Sequence, residues 1–230
     1  TAVDGRRLTI DAPITTAIDA RYGGGWVAEF DVPGRIHHVG LEDLRLESAY
    51  DPTRPFDEDH AWDAVHVDKA EHAWVRNIAT RHFAGSAVSV DAEARSVTVE
   101  GVDAAAPVSE FGGYRRRVFV ASGQLTLFRR CRSDQGLHDF VTGFAAAGPN
   151  VFLQCSARNA LGDSGPLESW ASGVLYDSVV IRGNGIRLTN RGTADQGQGW
   201  TAAGSVLWNC EGTDIAVQSP PGAFNQAYGC

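Results

Sequence analysis

The chain has 230 residues, 26 of them Gly and 9 Pro, with 43% hydrophobic residues and a formal charge of −8. That size and composition give one globular domain or two small ones and exclude a disordered chain, while the acid excess argues against a phosphate-binding surface and a nucleic-acid partner. No apolar run approaches the roughly 18 residues of a membrane helix, and nineteen of the twenty basic residues are Arg, leaving Lys69 as the single lysine.

The first stretch, Thr1 to Arg35, is the least repetitive part. It has no apolar core of the signal-peptide kind. A chain that opens at Thr1 and holds no Met fits a trimmed protein or a piece of a longer one. Residues 1–35 therefore read as an N-terminal cap or a remnant coil, and residues 36–230 as a repeat domain. Next comes an acidic loop, Asp57-Glu-Asp-His60 with Asp63. Oxygen-rich loops bind calcium, but the spacing is not that of an EF-hand, and an acidic run is more often a solvated loop. His37-His38 and the His66/His72 pair lack partners at zinc-site spacing. No cofactor is expected, with calcium the one ion left open.

From there short β-type runs recur. One series comprises Leu44-Arg-Leu46, Val75-Arg-Asn77, Val97-Thr-Val99, Leu125-Thr-Leu127, Val151-Phe-Leu153, Val179-Val-Ile181 and Val206-Leu-Trp208. Their starts fall roughly 22 to 31 residues apart, a repeat-architecture period. A second series precedes most of them across a tight turn: Val65-His-Val67, Val88-Ser-Val90, Val118-Phe-Val120 and Val174-Leu-Tyr176. Period-two alternation marks both as strands. A sandwich also has short, regularly spaced strands. The equivalent positions Cys131, Cys155, Gly183 and Cys210 favour a parallel β-helix, where small residues of successive coils stack in an internal ladder. The four cysteines, Cys230 included, contain no CxxC and as two disulfides would allow three connectivities. The ladder reading makes the first three reduced.

Three segments carry candidate chemistry. Arg115-Arg-Arg117 is the densest cationic run, with Arg129-Arg130 and Arg132 nearby; guanidinium groups match carboxylates, either those of an acidic polymer or this chain's own. His138-Asp139 pairs an imidazole with a carboxylate, yet adjacent strand residues point to opposite faces, so only one can face a groove. Gly162-Asp-Ser-Gly-Pro166 is a poor match to a serine-protease nucleophile segment: one Gly is missing and no upstream His fits.

A larger set of segments carries a resemblance: Asp59-His-Ala-Trp-Asp63, Ala73-Trp-Val-Arg76, His82-Phe-Ala-Gly-Ser86, Gly148-Pro-Asn-Val151, Trp170-Ala-Ser-Gly-Val174, Asn190-Arg-Gly192, Trp208-Asn-Cys210 and Gln218-Ser-Pro-Pro-Gly222. With these, the chain from about Ile36 onward resembles bacterial right-handed parallel β-helix proteins of the pectin lyase-like superfamily. The resemblance implies an all-β, single-stranded solenoid of about seven to eight coils, starting and stopping mid-repeat, and an activity on carbohydrate. It also exposes a departure. Gly165-Pro-Leu-Glu-Ser-Trp170 has Leu167 and Glu168 where a His and an Arg are expected before the Trp.

Two functions follow from the resemblance. One is a polysaccharide lyase or glycosidase with its polymer lying along a groove. A lyase needs a base and a cation, which His138 and Arg117 would supply. A glycosidase needs two carboxylates, from among Asp63, Asp139, Glu168 and Asp195. Substrate contacts are expected from the rings of Trp170 and Trp200, from Arg116 and Arg191, and from His60, placed to reach Asp63. The alternative is a non-catalytic carbohydrate-binding, adhesion or structural segment. The expected partner is a poly- or oligosaccharide, met outside the cell or in the periplasm. Open solenoid ends would present strand edges for self-association.

Overall fold

The computed structural model describes residues 2–230, apart from the side chains of Asp195 and Gln196. Short strands of alternating burial dominate. Val88–Val90 buries both valines and turns its serine outward, and Ala70–Arg81 repeats that alternation along most of its length. The protein is all-β, and its long sheets are parallel.

Strands from successive repeats lie side by side in register. A five-stranded parallel sheet runs in the order Val65–Val67, Val88–Val90, Arg117–Ala121, His138–Thr142, Gly165–Pro166. A thirteen-stranded sheet takes the next part of each repeat, and the long strand Ala70–Arg81 spans two parts of it. That strand pairs with Arg95–Glu100 along its first half and with Asp103–Ala105 along its second. Leu127–Arg129, Asn150–Leu153, Val174–Asp177, Val206–Trp208 and Gln226–Tyr228 continue the first half in parallel. Such stacking is consistent with the expected β-helix.

The chain turns the corner between those two halves on one left-handed residue per repeat: Asn77, Gly101, Arg130, Gln154, Ser178, Asn209 and Gly229 all have positive φ. A left-handed non-glycine residue costs about 1 to 2 kcal/mol. At Asn77 the side chain offsets part of this by donating from Nδ2 to Asp43 Oδ1 at 3.1 Å, Asp43 being left-handed as well.

Two details of the expected ladders are corrected. The residue stacked between Cys155 and Cys210 is Val179, because Phe152 pairs with Tyr176 and Tyr176 with Leu207. Gly183 falls instead in the row of left-handed turns that includes Gln135 and Asn159. Likewise Val174-Leu-Tyr176 belongs with Asn150–Leu153 in the large sheet. The strand truly equivalent to Val118-Phe-Val120 in that repeat is Gly165–Pro166, which carries no β-branched signal. All four cysteines are free thiols. Burial pushes the Cys131 thiol upward, and that of Cys210 to about 11.

The interior is built of stacked rings. Phe119 lies on Phe140 at 5.4 Å, Phe128 on Phe152 at 5.1 Å and Phe152 on Tyr176 at 4.9 Å. The two stacks meet edge to face through Phe119–Phe128 and Phe140–Phe152. All five rings are fully buried, each contributing about 1.5 to 3 kcal/mol. Tyr176 satisfies its hydroxyl by donating to the Phe140 carbonyl.

Residues 2–35 pair with none of the stacked strands. After a hairpin of Ala2–Asp4 with Arg7–Thr9, the segment runs along the outside. Asp11 meets Arg95, Thr15 hydrogen-bonds Ser172 at 2.7 Å, and Arg35 reaches the Glu93 carbonyl.

Candidate functional site

The outward face of the five-stranded sheet brings several of the candidate residues together. Arg117 and His138 open their strands and are paired neighbours across the sheet. After them the alternation breaks, so that Val118 and Phe119, and likewise Asp139 and Phe140, are buried as consecutive pairs. Arg117 and His138 are thereby left facing outward while the next residues fill the core.

Arg117 Nη1 donates to Glu168 Oε1 at 2.6 Å, with the two side chains only 14% and 12% exposed. The Tyr114 ring covers the Arg117 guanidinium at 4.4 Å. Glu168 sits on a loop held by its neighbour Ser169, whose hydroxyl donates to the Gln198 carbonyl at 2.7 Å. His138 Nδ1 lies 2.7 Å from the Asp163 carbonyl oxygen. A carbonyl only accepts, so Nδ1 carries the proton and Nε2 the lone pair. Nε2 has no hydrogen-bond partner among the described residues. Asp163 uses its carboxylate to hold Arg191. Gly162 lets this loop come close, since a Cβ there would lie 2.5 Å from the Leu137 carbonyl and 3.2 Å from His138 Cε1.

Burial, and secondarily the Arg117 and Arg191 charges, hold the His138 pKa below the usual 6.5, against the opposing pull of Asp163. The ring is therefore neutral near pH 7. Arg117, His138, Glu168 and Tyr114 line a cleft of ≈ 210 Å³. Arg117, Glu168 and Tyr114 also border an adjoining cleft of ≈ 310 Å³, which reaches Asp63 and the His66–Asp91 pair. There the exposed Asp63 accepts from the Ser86 amide at 2.8 Å and its hydroxyl at 2.5 Å. Together the clefts form a polar trough crossing several strands.

Several expected site residues lie elsewhere. Asp139 points inward, 0% exposed, with Oδ1 accepting from Ser133 at 2.5 Å and Oδ2 without a partner. Arg116 is buried and structural: it donates to the Ser109 hydroxyl and carbonyl and lies over Phe111. His60 does not reach Asp63, because Ser48 holds Nδ1 and the Asp57 and Val108 carbonyls hold Nε2. Trp170 and Trp200 line neither cleft. They sit in adjacent repeats, with the Trp170 amide donating to the Trp200 carbonyl and the Trp170 indole to Thr16. Arg191 reaches the site only through Asp163. The Asp195 side chain lies outside the described residues. Asp163 and Tyr114 are additions. Tyr114 had a signal, an aromatic residue between a Gly pair and an Arg run. Asp163 had none, since it acts mainly through its backbone.

Two carboxylates of the acidic loop are held by arginines. Arg54 pairs with Asp57 at 2.6 Å and Arg115 with Glu58 at 2.8 Å. Among the described residues, no three His, Cys, Asp or Glu side chains are grouped to hold a metal ion. Comparison of the chain with protein-family models, curated proteins and solved structures found no match.

Proposed function

We propose that the chain is a right-handed parallel β-helix of about seven to eight coils, of the pectin lyase-like kind, acting outside the cell or in the periplasm as a lyase on an acidic polysaccharide. The observation that carries this reading is the neutral His138, its proton fixed on Nδ1 and its Nε2 lone pair unclaimed, beside Arg117 where two polar clefts adjoin. In a lyase step His138 Nε2 takes the proton from the carbon next to a uronate carboxylate. Arg117 stabilises the charge that develops on that carboxylate. The electron pair then forms the ring double bond, the bond to the glycosidic oxygen breaks, and that oxygen leaves with a proton from water while His138 returns its own proton to solvent. One fragment gains an unsaturated end and the other a reducing end.

One observation favours the non-catalytic alternative. Glu168 already occupies the Arg117 guanidinium, and Asp163 that of Arg191. A carbohydrate-binding segment needs no freer cation than this. The test is to incubate the purified chain with polyuronates, with and without calcium, following unsaturated-uronate absorbance and reducing ends together. Both should rise, and His138→Ala should abolish both. Reducing ends without absorbance would indicate hydrolysis. No turnover by the folded chain would transfer the assignment to the binding segment.

A further inference from the structure

The wall that follows the left-handed corner carries a second feature. Its strands Asp103–Ala105, Arg132–Asp134, Ser156–Arg158 and Val180–Ile181 turn Ala104, Ser133, Ala157 and Ile181 inward. The residues between them face outward. In register they form one row containing Arg81, Ala105, Asp134 and Arg158, continued by Arg182, and beside it a row of Asp103, Arg132 and Ser156. A shallow trough of ≈ 500 Å³ lies along them.

Charge on this wall does not balance. Arg132 meets Asp103 at 3.4 Å and Arg158 meets Asp134 at 3.0 Å, both arginines being about seven-tenths exposed. Asn159 adds a second donor to Asp134. Arg81 and Arg182 have no hydrogen-bond or ion-pair partner for their side chains among the described residues. Arg182 also stands directly beside Arg158, one strand spacing of about 4.8 Å away along the row. Like charges placed opposite one another on a sheet are destabilising. The acid that the next coil brings to this wall, Glu211, is in register with Val180, and no ion pair joins it to Arg182 among the described residues.

We propose that this arginine wall is a binding site for a linear polyuronate, separate from the trough at His138. The planar guanidinium matches a carboxylate through two parallel hydrogen bonds. Arg158 and Arg182 stand one strand spacing apart, and Arg81 stands three spacings from Arg158 along the same row, so an extended polymer can meet all three. Each exposed contact is weak, and a polymer engages several together. The site requires only that the polymer be acidic, so it stands or falls independently of the reaction at His138.

The experiment measures binding of polygalacturonate, with dextran as the neutral control, to the His138→Ala chain and to the same chain carrying Arg158→Gln and Arg182→Gln. Circular dichroism and thermal melting check that both are folded; the substituted side chains are exposed and support no core contact. The double substitution should weaken binding about tenfold, and Arg81→Gln should weaken it further. Raised salt should weaken the parent and reduce the difference. Unchanged affinity in the double variant, no binding by the parent, equal binding of dextran, or equal displacement by single-stranded DNA would each overturn the proposal. Loss of turnover in the wild-type chain without loss of this binding would overturn the lyase reading alone.

Discussion

His138 and Asp139 are one residue apart and lie on opposite sides of the same sheet. Both are desolvated, and desolvation disfavours the charged form of each. It pushes the His138 pKa down, and that of Asp139 up from 3.8 to about 7. Outward, the result is a neutral ring with a lone pair at the edge of a cleft. Inward, it is a carboxyl held by one serine, with an oxygen that has no partner. A titratable residue beside another is thus no guide to their acting together; what decides is which side of the wall each occupies.

The largest effect should come from the inward member. Asp139 binds its proton more tightly in the folded chain than in the unfolded one. Stability is therefore full below the unfolded value near 3.8 and falls as pH rises toward about 7. A difference of that size is worth about 4 kcal/mol. Asp139→Asn should match the parent at pH 4 and exceed it by about that much at pH 8 in urea unfolding. If the two chains remain equally stable at pH 8, Asp139 does not sit charged in an apolar interior, and the contrast with His138 fails.

Next is the outward pair. Replacing Arg117 by Met leaves Glu168 buried without its guanidinium. Breaking such a pair costs about 3 kcal/mol, read as a lower urea midpoint with an unchanged slope. The catalytic reading adds loss of turnover, to be measured under conditions where the variant is folded. Glu168→Gln, which keeps the shape, should cost less and thus separate folding from charge.

A third substitution tests how the loop sets His138. Gly162→Ala drives a methyl group against the Leu137 carbonyl, and overpacking of this kind costs about 1 to 3 kcal/mol. It should also shift the pH profile of turnover, because moving the Asp163 carbonyl frees Nδ1. In the parent, turnover should rise with pH through a midpoint below 6.5 and then hold, since only the neutral ring is a base. A variant profile superimposable on the parent's would show that the loop does not position the ring.

How far these features could be read from the chain varies with their physical origin. The Val-x-Val runs announced strands because a sheet with one buried face imposes period two. The stacking of Cys131 on Cys155 is legible because each cysteine follows a strand phenylalanine, Phe128 and Phe152, by three residues. It was misplaced in the next repeat, where the wall strand shrinks to Gly165–Pro166 and Val174-Leu-Tyr176 took its place in the pattern. Arg117 and His138 were legible as charged residues opening strands. Burial of Arg116 was not, since Ser109 and Phe111 hold it through a loop. Nor was the role of Asp163, whose carbonyl fixes the imidazole: any residue type supplies a carbonyl.

The smallest effect belongs to the exposed arginines and gives the comparison its scale. Arg132 pairs with Asp103 just as Arg117 pairs with Glu168, but at 70% and 55% exposure. Water already solvates both partners there, so the pair gains little and its loss strands no buried charge. Exposed pairs are worth about 0.2 to 1 kcal/mol. Arg132→Ala should therefore move the urea midpoint only marginally, and less still in 1 M salt, where screening falls within about 3 Å. Arg182→Gln goes in the other direction, because it removes a cation beside Arg158 that forms no ion pair among the described residues. A small gain in stability at low salt that vanishes at high salt would mark that repulsion. A loss instead would mean that Arg182 serves the fold, and would remove the reason for assigning it to a ligand.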